Sequence, residues 1–124
     1  MSRPRPIRLL VIPLLLLAAG TVAACAPATT SIEVTTGTTV VDVRTPAEYA
    51  AGHLDGAVNL DVSAAGFETE LEALDPTADY LVYCRSGSRS APAVALMEQA
   101  GFTSVHDAGG LSDAATATGL AVVD

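Results

Sequence analysis

Two short runs, Thr39-Val40-Val41-Asp42-Val43 and Tyr80-Leu81-Val82-Tyr83, constrain the fold more than any other feature of the chain. Near-continuous β-branched and apolar character over four or five residues suits strands buried on both faces. Such strands belong to parallel sheets, whose crossovers are helices. Helix signals stand where those crossovers are needed. Thr45-Pro46-Ala47-Glu48 supplies an N-cap, a first-turn proline and a capping-box glutamate, and Gly52 stops the short helix they begin. Phe67 to Leu74 puts Phe67, Leu71 and Leu74 on one helical face before Asp75-Pro76 ends it. Ser90 to Ala100 is the clearest helix, with Val94, Leu96 and Met97 available to a core and Gly101-Phe102 as a glycine C-cap with its apolar contact. A weaker, alanine-rich helix is expected over Ser112 to Thr118. Further strands are expected at Ile32-Glu33-Val34, Ala57-Val58-Asn59-Leu60 and Ser104-Val105-His106-Asp107, with turns at Thr35-Thr36-Gly37, Asp55-Gly56 and Gly109-Gly110. Strands alternating with helices over about 90 residues predict an α/β sandwich with a mainly parallel central sheet.

The first residues read as an address. Arg3, Arg5 and Arg8 precede an apolar stretch from Leu9 to Ala19, and small residues lead to Val22-Ala23-Ala24-Cys25. A charged start, a short apolar run and a small-residue cleavage site describe an export signal. Pro13 and Gly20 interrupt the run, which is short of the roughly 20 residues a membrane helix needs. Val-Ala-Ala-Cys resembles the bacterial lipobox, which implies cleavage after Ala24 and lipidation of Cys25. Two or more acyl chains then hold the protein on the extracytoplasmic side of a membrane without a span. The expected organisation is a signal peptide over 1–24, an Ala/Thr/Pro-rich tether over 25–31 and one domain over 32–124. After cleavage about 100 residues remain, enough for one core. The chain has no lysine, and beyond position 25 only Arg44, Arg85 and Arg89 face 14 acidic residues. That balance argues against a nucleic-acid partner and against electrostatic binding to anionic lipid.

Two of those three arginines flank the second of the chain's two cysteines, in Cys84-Arg85-Ser86-Gly87-Ser88-Arg89-Ser90. If Cys25 carries lipid, Cys84 has no disulfide partner, and an unpaired cysteine in an exported chain points to reactivity. The thiol is expected at the carboxyl end of a strand, where open α/β sheets bind ligands, with a helix N-terminus directly after it. Both the dipole and the guanidinium groups favour thiolate. Gly87 and the serines allow the backbone to curl so that successive N–H groups form a nest for an anion. The competing reading is an inert buried cysteine with two surface arginines.

These residues resemble the rhodanese-like sulfurtransferases, over nearly all of the chain after the tether. The resemblance is carried by Val41-Asp42-Val43-Arg44-Thr45-Pro46-Ala47-Glu48-Tyr49, by Gly52-His53-Leu54-Asp55-Gly56-Ala57-Val58-Asn59-Leu60, by the Cys84 loop, and by Ala100-Gly101-Phe102 and Gly109-Gly110-Leu111. It implies a three-layer sandwich and covalent catalysis by Cys84. The thiolate takes the outer sulfur of a small anionic donor such as thiosulfate, and a thiol or cyanide acceptor then removes it from the persulfide. Arg85, Ser86, Gly87, Ser88 and Arg89 are implied to bind the donor, with Asp42 and Arg44 as structural support for the loop. No cofactor and no metal are implied, and His53 and His106 make no recognisable metal pattern. Cysteine phosphatases place five residues between cysteine and arginine, whereas four stand between Cys84 and Arg89. The smaller ring suits a sulfane sulfur better than a phosphate. Where many members carry a tryptophan, this chain has Ala114. The alternatives are a persulfide carrier that relays sulfur to an acceptor protein with little small-molecule turnover, and a non-catalytic interaction lipoprotein.

Overall fold

A computed structural model describes residues 31–124; the expected signal peptide, Cys25 and the tether up to position 30 lie outside the described residues. The elements run β1 (Thr38–Asp42), α1 (Pro46–Ala50), β2 (His53–Leu54), β3 (Val58–Asn59), α2 (Phe67–Leu71), β4 (Asp79–Cys84), α3 (Ser90–Gln99), β5 (Ser104–Gly110), α4 (Leu111–Thr118) and β6 (Val122–Val123). Four strands form one sheet in the order β3-β1-β4-β5, every pair parallel, while β2 and β6 form a small antiparallel pair. The two apolar runs are its central strands, β1 and β4. Alternation along them feeds two cores, because successive side chains of a strand point to opposite faces. Val41, Tyr80, Val82 and Cys84 pack with Phe67, Leu71, Ala93 and Met97 of α2 and α3. Val40, Leu81 and Tyr83 pack with Leu54, Ala108 and Ala114 on the opposite face, the side of α4. Helices therefore cover both faces of a parallel sheet, the three-layer α/β sandwich expected. Ala114 is fully buried.

Local chemistry explains the helix ends. The Thr45 hydroxyl accepts from the Glu48 N–H while the Glu48 carboxylate accepts from the Thr45 N–H, a complete capping box with Pro46 in the first turn. At the end of α3 the Gly101 N–H reaches the Glu98 carbonyl (3.0 Å) and the Phe102 N–H reaches that of Met97 (3.1 Å). Gly101 has φ +96°, and Phe102 is buried, so the glycine cap and its apolar contact form a Schellman motif.

Three local expectations change, and two short strands appear that no expectation covered. Ile32–Val34 is not a strand: the Ile32 N–H bonds the Ala117 carbonyl (2.8 Å) at the end of α4, and the half-buried side chains need no ladder. The second helix is regular only to Leu71, and residues 72–74 tighten into bonds spanning three residues before Asp75-Pro76. Gly109-Gly110 ends β5 instead of making a separate turn. Strands β2 and β6 have two residues each, too few for any periodic pattern to announce them.

Candidate active site

Cys84 is the last residue of β4, and α3 begins six positions later at Ser90. The intervening residues fold around the sulfur. Gly87, at φ +91°, turns its N–H onto the Cys84 Sγ at 2.9 Å, and the Ser90 hydroxyl donates to the Gly87 carbonyl (3.2 Å), closing the loop. Beneath it lies the end of β5. A Cβ on Gly110 would stand 2.7 Å from the Arg85 carbonyl oxygen and 3.2 Å from the Ser86 Cα, so the loop backbone rests on a glycine that must stay bare. Ser86 also bridges to Gly110.

The cysteine is 0% exposed. Burial alone pushes its thiol up, yet the net displacement is below the ordinary thiol value. Hydrogen bonds to the sulfur, those of the Arg89, Ser90 and Ser86 N–H groups among them, favour thiolate and outweigh the desolvation. In a core without such donors, burial would only raise a thiol.

The other residues named from sequence fall into two groups. Arg85, Ser86 and Ser88 are exposed on the loop, with the Ser86 and Ser88 hydroxyls 3.4 Å apart. Arg89 turns to α1 and makes a two-pronged ion pair with Glu48, Nη1 to Oε2 at 2.8 Å and Nη2 to Oε1 at 2.9 Å. Glu48, read from sequence as a cap, thus has a second partner 41 positions away that no local pattern signals. Asp42 and Arg44 form a buried cluster behind the loop. Asp42 accepts from the Arg44 backbone N–H and Nε (both 2.9 Å) and from Nη2 (2.6 Å), and the same Nη2 donates to the Gly52 carbonyl (2.6 Å). The Tyr83 hydroxyl donates to Asp42 (2.8 Å) and accepts from the Leu54 N–H (3.0 Å). Since Tyr83 directly precedes Cys84, this cluster fixes the strand end that presents the thiol. Sequence reasoning missed Tyr83, whose strand pattern showed burial but not its hydrogen bonds. It missed Asn59 as well, whose amide donates to the carbonyls of Asp42 and Arg44 (3.1 and 2.9 Å). His53 stacks on Tyr49 with ring centroids 3.7 Å apart, and His106 is exposed on β5.

An open cleft of ≈ 310 Å³ adjoins the loop, lined by Arg85, Glu48, Gly52, Leu111 and Val122 among others. A larger cavity of ≈ 560 Å³, walled by Leu71, Leu74, Leu96 and Phe102 with Glu68 and Glu72, includes no residue of the Cys84 loop.

With this geometry the comparisons agree. The family profile for the Rhodanese-like domain matches residues 30–115. Over 75 residues the chain is 33% identical to thiosulfate sulfurtransferase PspE of Escherichia coli (strain K12), an alignment covering 60% of this chain and 72% of that protein. It is 41% identical over 75 residues to thiosulfate sulfurtransferase GlpE of Pseudomonas entomophila (strain L48), covering 60% of this chain and 66% of the relative, just under two thirds of its length. Among solved structures it is similar to a rhodanese with anions from E. coli, with a TM-score of 0.59 and 29% identity over 70% of this chain and 98% of that one. The chain belongs to the rhodanese-like domain family.

Proposed function

We propose that this protein is a sulfurtransferase that carries sulfur as a persulfide on Cys84. The observation that carries the reading is the loop around the Cys84 sulfur, which sits at the end of β4 and accepts the Gly87 N–H at 2.9 Å, with the Arg89, Ser90 and Ser86 N–H groups also favouring its thiolate. The thiosulfate sulfurtransferases among its relatives support the same donor class. The Cys84 thiolate attacks the outer sulfur of thiosulfate. The S–S bond of the donor breaks, sulfite departs with the electron pair, and Cys84 keeps the sulfur as a persulfide. Cyanide or a thiolate then attacks that outer sulfur, and the Cys84 thiolate leaves. The loop N–H groups hold negative charge on sulfur in the resting and loaded states. Arg85 supplies the positive end for the donor's oxyanion, and Arg89 joins it only when its pair with Glu48 opens. The test is steady-state turnover with thiosulfate and cyanide, together with mass spectrometry after thiosulfate alone. One added sulfur on Cys84 and a Cys84→Ser variant without product are expected. A variant that turns over like the wild type sinks the proposal.

A carrier that hands the sulfur to a protein acceptor is the second reading. It draws support from the Arg89–Glu48 pair, which leaves Arg85 as the loop guanidinium with no ion pair among the described residues and so weakens the hold on a small dianion. Loading of Cys84 without turnover on cyanide distinguishes it.

We infer in addition that the chain is exported and held on the extracytoplasmic face by lipid on Cys25. Arg3, Arg5, Arg8, the apolar stretch from Leu9 and the Val-Ala-Ala-Cys motif support this. Labelling with a radioactive fatty acid tests it, and label persisting in Cys25→Ser refutes it.

A further inference from the structure

The carboxylate of Glu48 has more partners than a helix cap needs. Its Oε2 accepts from the Thr45 N–H and hydroxyl (both 3.1 Å) and from Arg89 Nη1 (2.8 Å), while Oε1 accepts from Arg89 Nη2 (2.9 Å). The pair is only partly exposed, 30% for the arginine side chain and 27% for the glutamate, so water screens it less than a surface pair. Arg89 is also the residue whose backbone N–H faces the Cys84 sulfur, and the thiolate's field acts on its guanidinium. Hence one arginine joins α1 to the thiol. Arg85 and Arg89 belong to the loop, Glu48 reaches Arg89 from α1, the field of Asp61 after β3 also acts on Arg89, and Asp107 and Asp113 stand beside Gly109, which packs against Gly87. The Cys84 thiolate, the two guanidinium groups of its loop and the Glu48 carboxylate paired with one of them sum to no net charge. Without the carboxylate the set is positive.

We propose that Glu48 is a positioning residue that acts through Arg89, an internal counter-ion that occupies the guanidinium and restrains the loop's attraction for anions. An incoming oxyanion therefore meets Arg85 first and engages the paired end of Arg89 only by displacing a carboxylate. This sets the donor as a weakly held dianion, released readily as sulfite once its outer sulfur has moved. The inference about donor affinity rests on the sulfurtransferase reading; the electrostatic role does not. Glu48 stays ionised well below neutrality, its carboxyl held down to about 2 chiefly by the Arg89 hydrogen bonds, so the restraint persists across ordinary pH.

The experiment uses the full chain carrying Cys25→Ser, so that Cys84 is the sole thiol, in three versions: unaltered at other positions, with Glu48→Gln and with Thr45→Ala. Glutamine keeps the shape and an acceptor for the Thr45 N–H but removes the charge. Thr45→Ala removes the hydroxyl of the cap and leaves the ion pair. Thiolate absorbance is followed against pH at constant ionic strength, and inorganic sulfate binding is measured by calorimetry. Glu48→Gln should move the thiolate titration to lower pH and tighten sulfate about two- to fivefold, the range expected for losing one partly screened charge pair. Thr45→Ala should lower stability and leave both readouts in place. If Glu48→Gln leaves the titration unmoved or moves it upward, or if Thr45→Ala changes it equally, Glu48 only shapes the cap and the proposal is overturned. Should no version turn over thiosulfate while the titration and sulfate shifts appear, the sulfurtransferase reading fails and the counter-ion role stands.

Discussion

A methyl group on Gly110 should disturb the thiol loop without touching a single reactive atom. Its backbone, at φ −80° and ψ 165°, suits any residue, so Gly110→Ala introduces no dihedral strain. The cost is contact alone. The new Cβ would lie 2.7 Å from the Arg85 carbonyl oxygen and 3.2 Å from the Ser86 Cα, against an ordinary contact of 3.4–4 Å. Both are backbone atoms, so no side chain can swing aside. Relief requires the loop to rise by roughly 0.7 Å or β5 to retreat by as much, and inserting a methyl into such a seat costs about 1–3 kcal/mol. The Gly87 N–H lies 2.9 Å from the sulfur, so a rise of that size lengthens and weakens this bond. Stability should fall by that amount in urea denaturation, each kcal/mol lowering the thermal midpoint by about 4–8 °C in a domain of this size. The thiolate titration should move up as N–H groups leave the sulfur. Gly101→Ala serves as the contrast, since nothing lies within 4 Å of its Cβ and only the positive φ of +96° opposes it, so it should lose stability with the titration in place. A Gly110→Ala protein as stable as the wild type, with an unchanged titration, would refute the claim that the loop rests on this glycine.

The buried cluster behind the loop should respond more strongly than the exposed pair. Arg44→Met strips the cation from a fully buried Asp42 and should destabilise the domain by about 3–5 kcal/mol, whereas Arg89→Met, at a partly exposed pair, should cost about 1 kcal/mol or less; equal losses in urea denaturation would contradict this. Tyr83→Phe leaves the Leu54 N–H without its acceptor and Asp42 without one donor, so a loss of about 1–3 kcal/mol is expected, and a neutral result would mean that the hydroxyl does not anchor the strand end. Acid titration should separate Glu48 from its glutamine variant in one direction. The folded carboxyl is depressed from 4.5 to about 2, so its contribution is complete above 4.5 and disappears as pH falls through about 2. The stability difference between wild type and Glu48→Gln should shrink over that window, and a difference independent of pH there would exclude the ion pair as its source.

Legibility followed the range of each interaction. The cap of α1 could be read from Thr45, Pro46 and Glu48, and the Schellman end of α3 from Gly101 and Phe102, because both motifs close within six residues. The parallel order came from the near-continuous apolar and β-branched runs of β1 and β4, which require cover on both faces. By contrast, Ile32–Val34 alternates like a strand and forms none, since alternation reports half-burial and not the presence of a neighbour. The Cys84 loop announced itself by composition. Its state did not: full burial of the cysteine, the seat on Gly110 and the diversion of Arg89 to Glu48 all join residues far apart in the chain.

By itself the order of residues determined the strand and helix alternation, the position of the thiol between a strand and a helix, and the scarcity of positive charge available to it. Only the tertiary structure decided which charges remain free at that thiol. Coulomb attraction and hydrogen bonding both act through space, hydrogen bonding being lost within a few ångströms and Coulomb attraction near water being screened over about 10 Å. Glu48 and Arg89 meet only because packing brings α1 beside the start of α3, a juxtaposition that no spacing along the chain records.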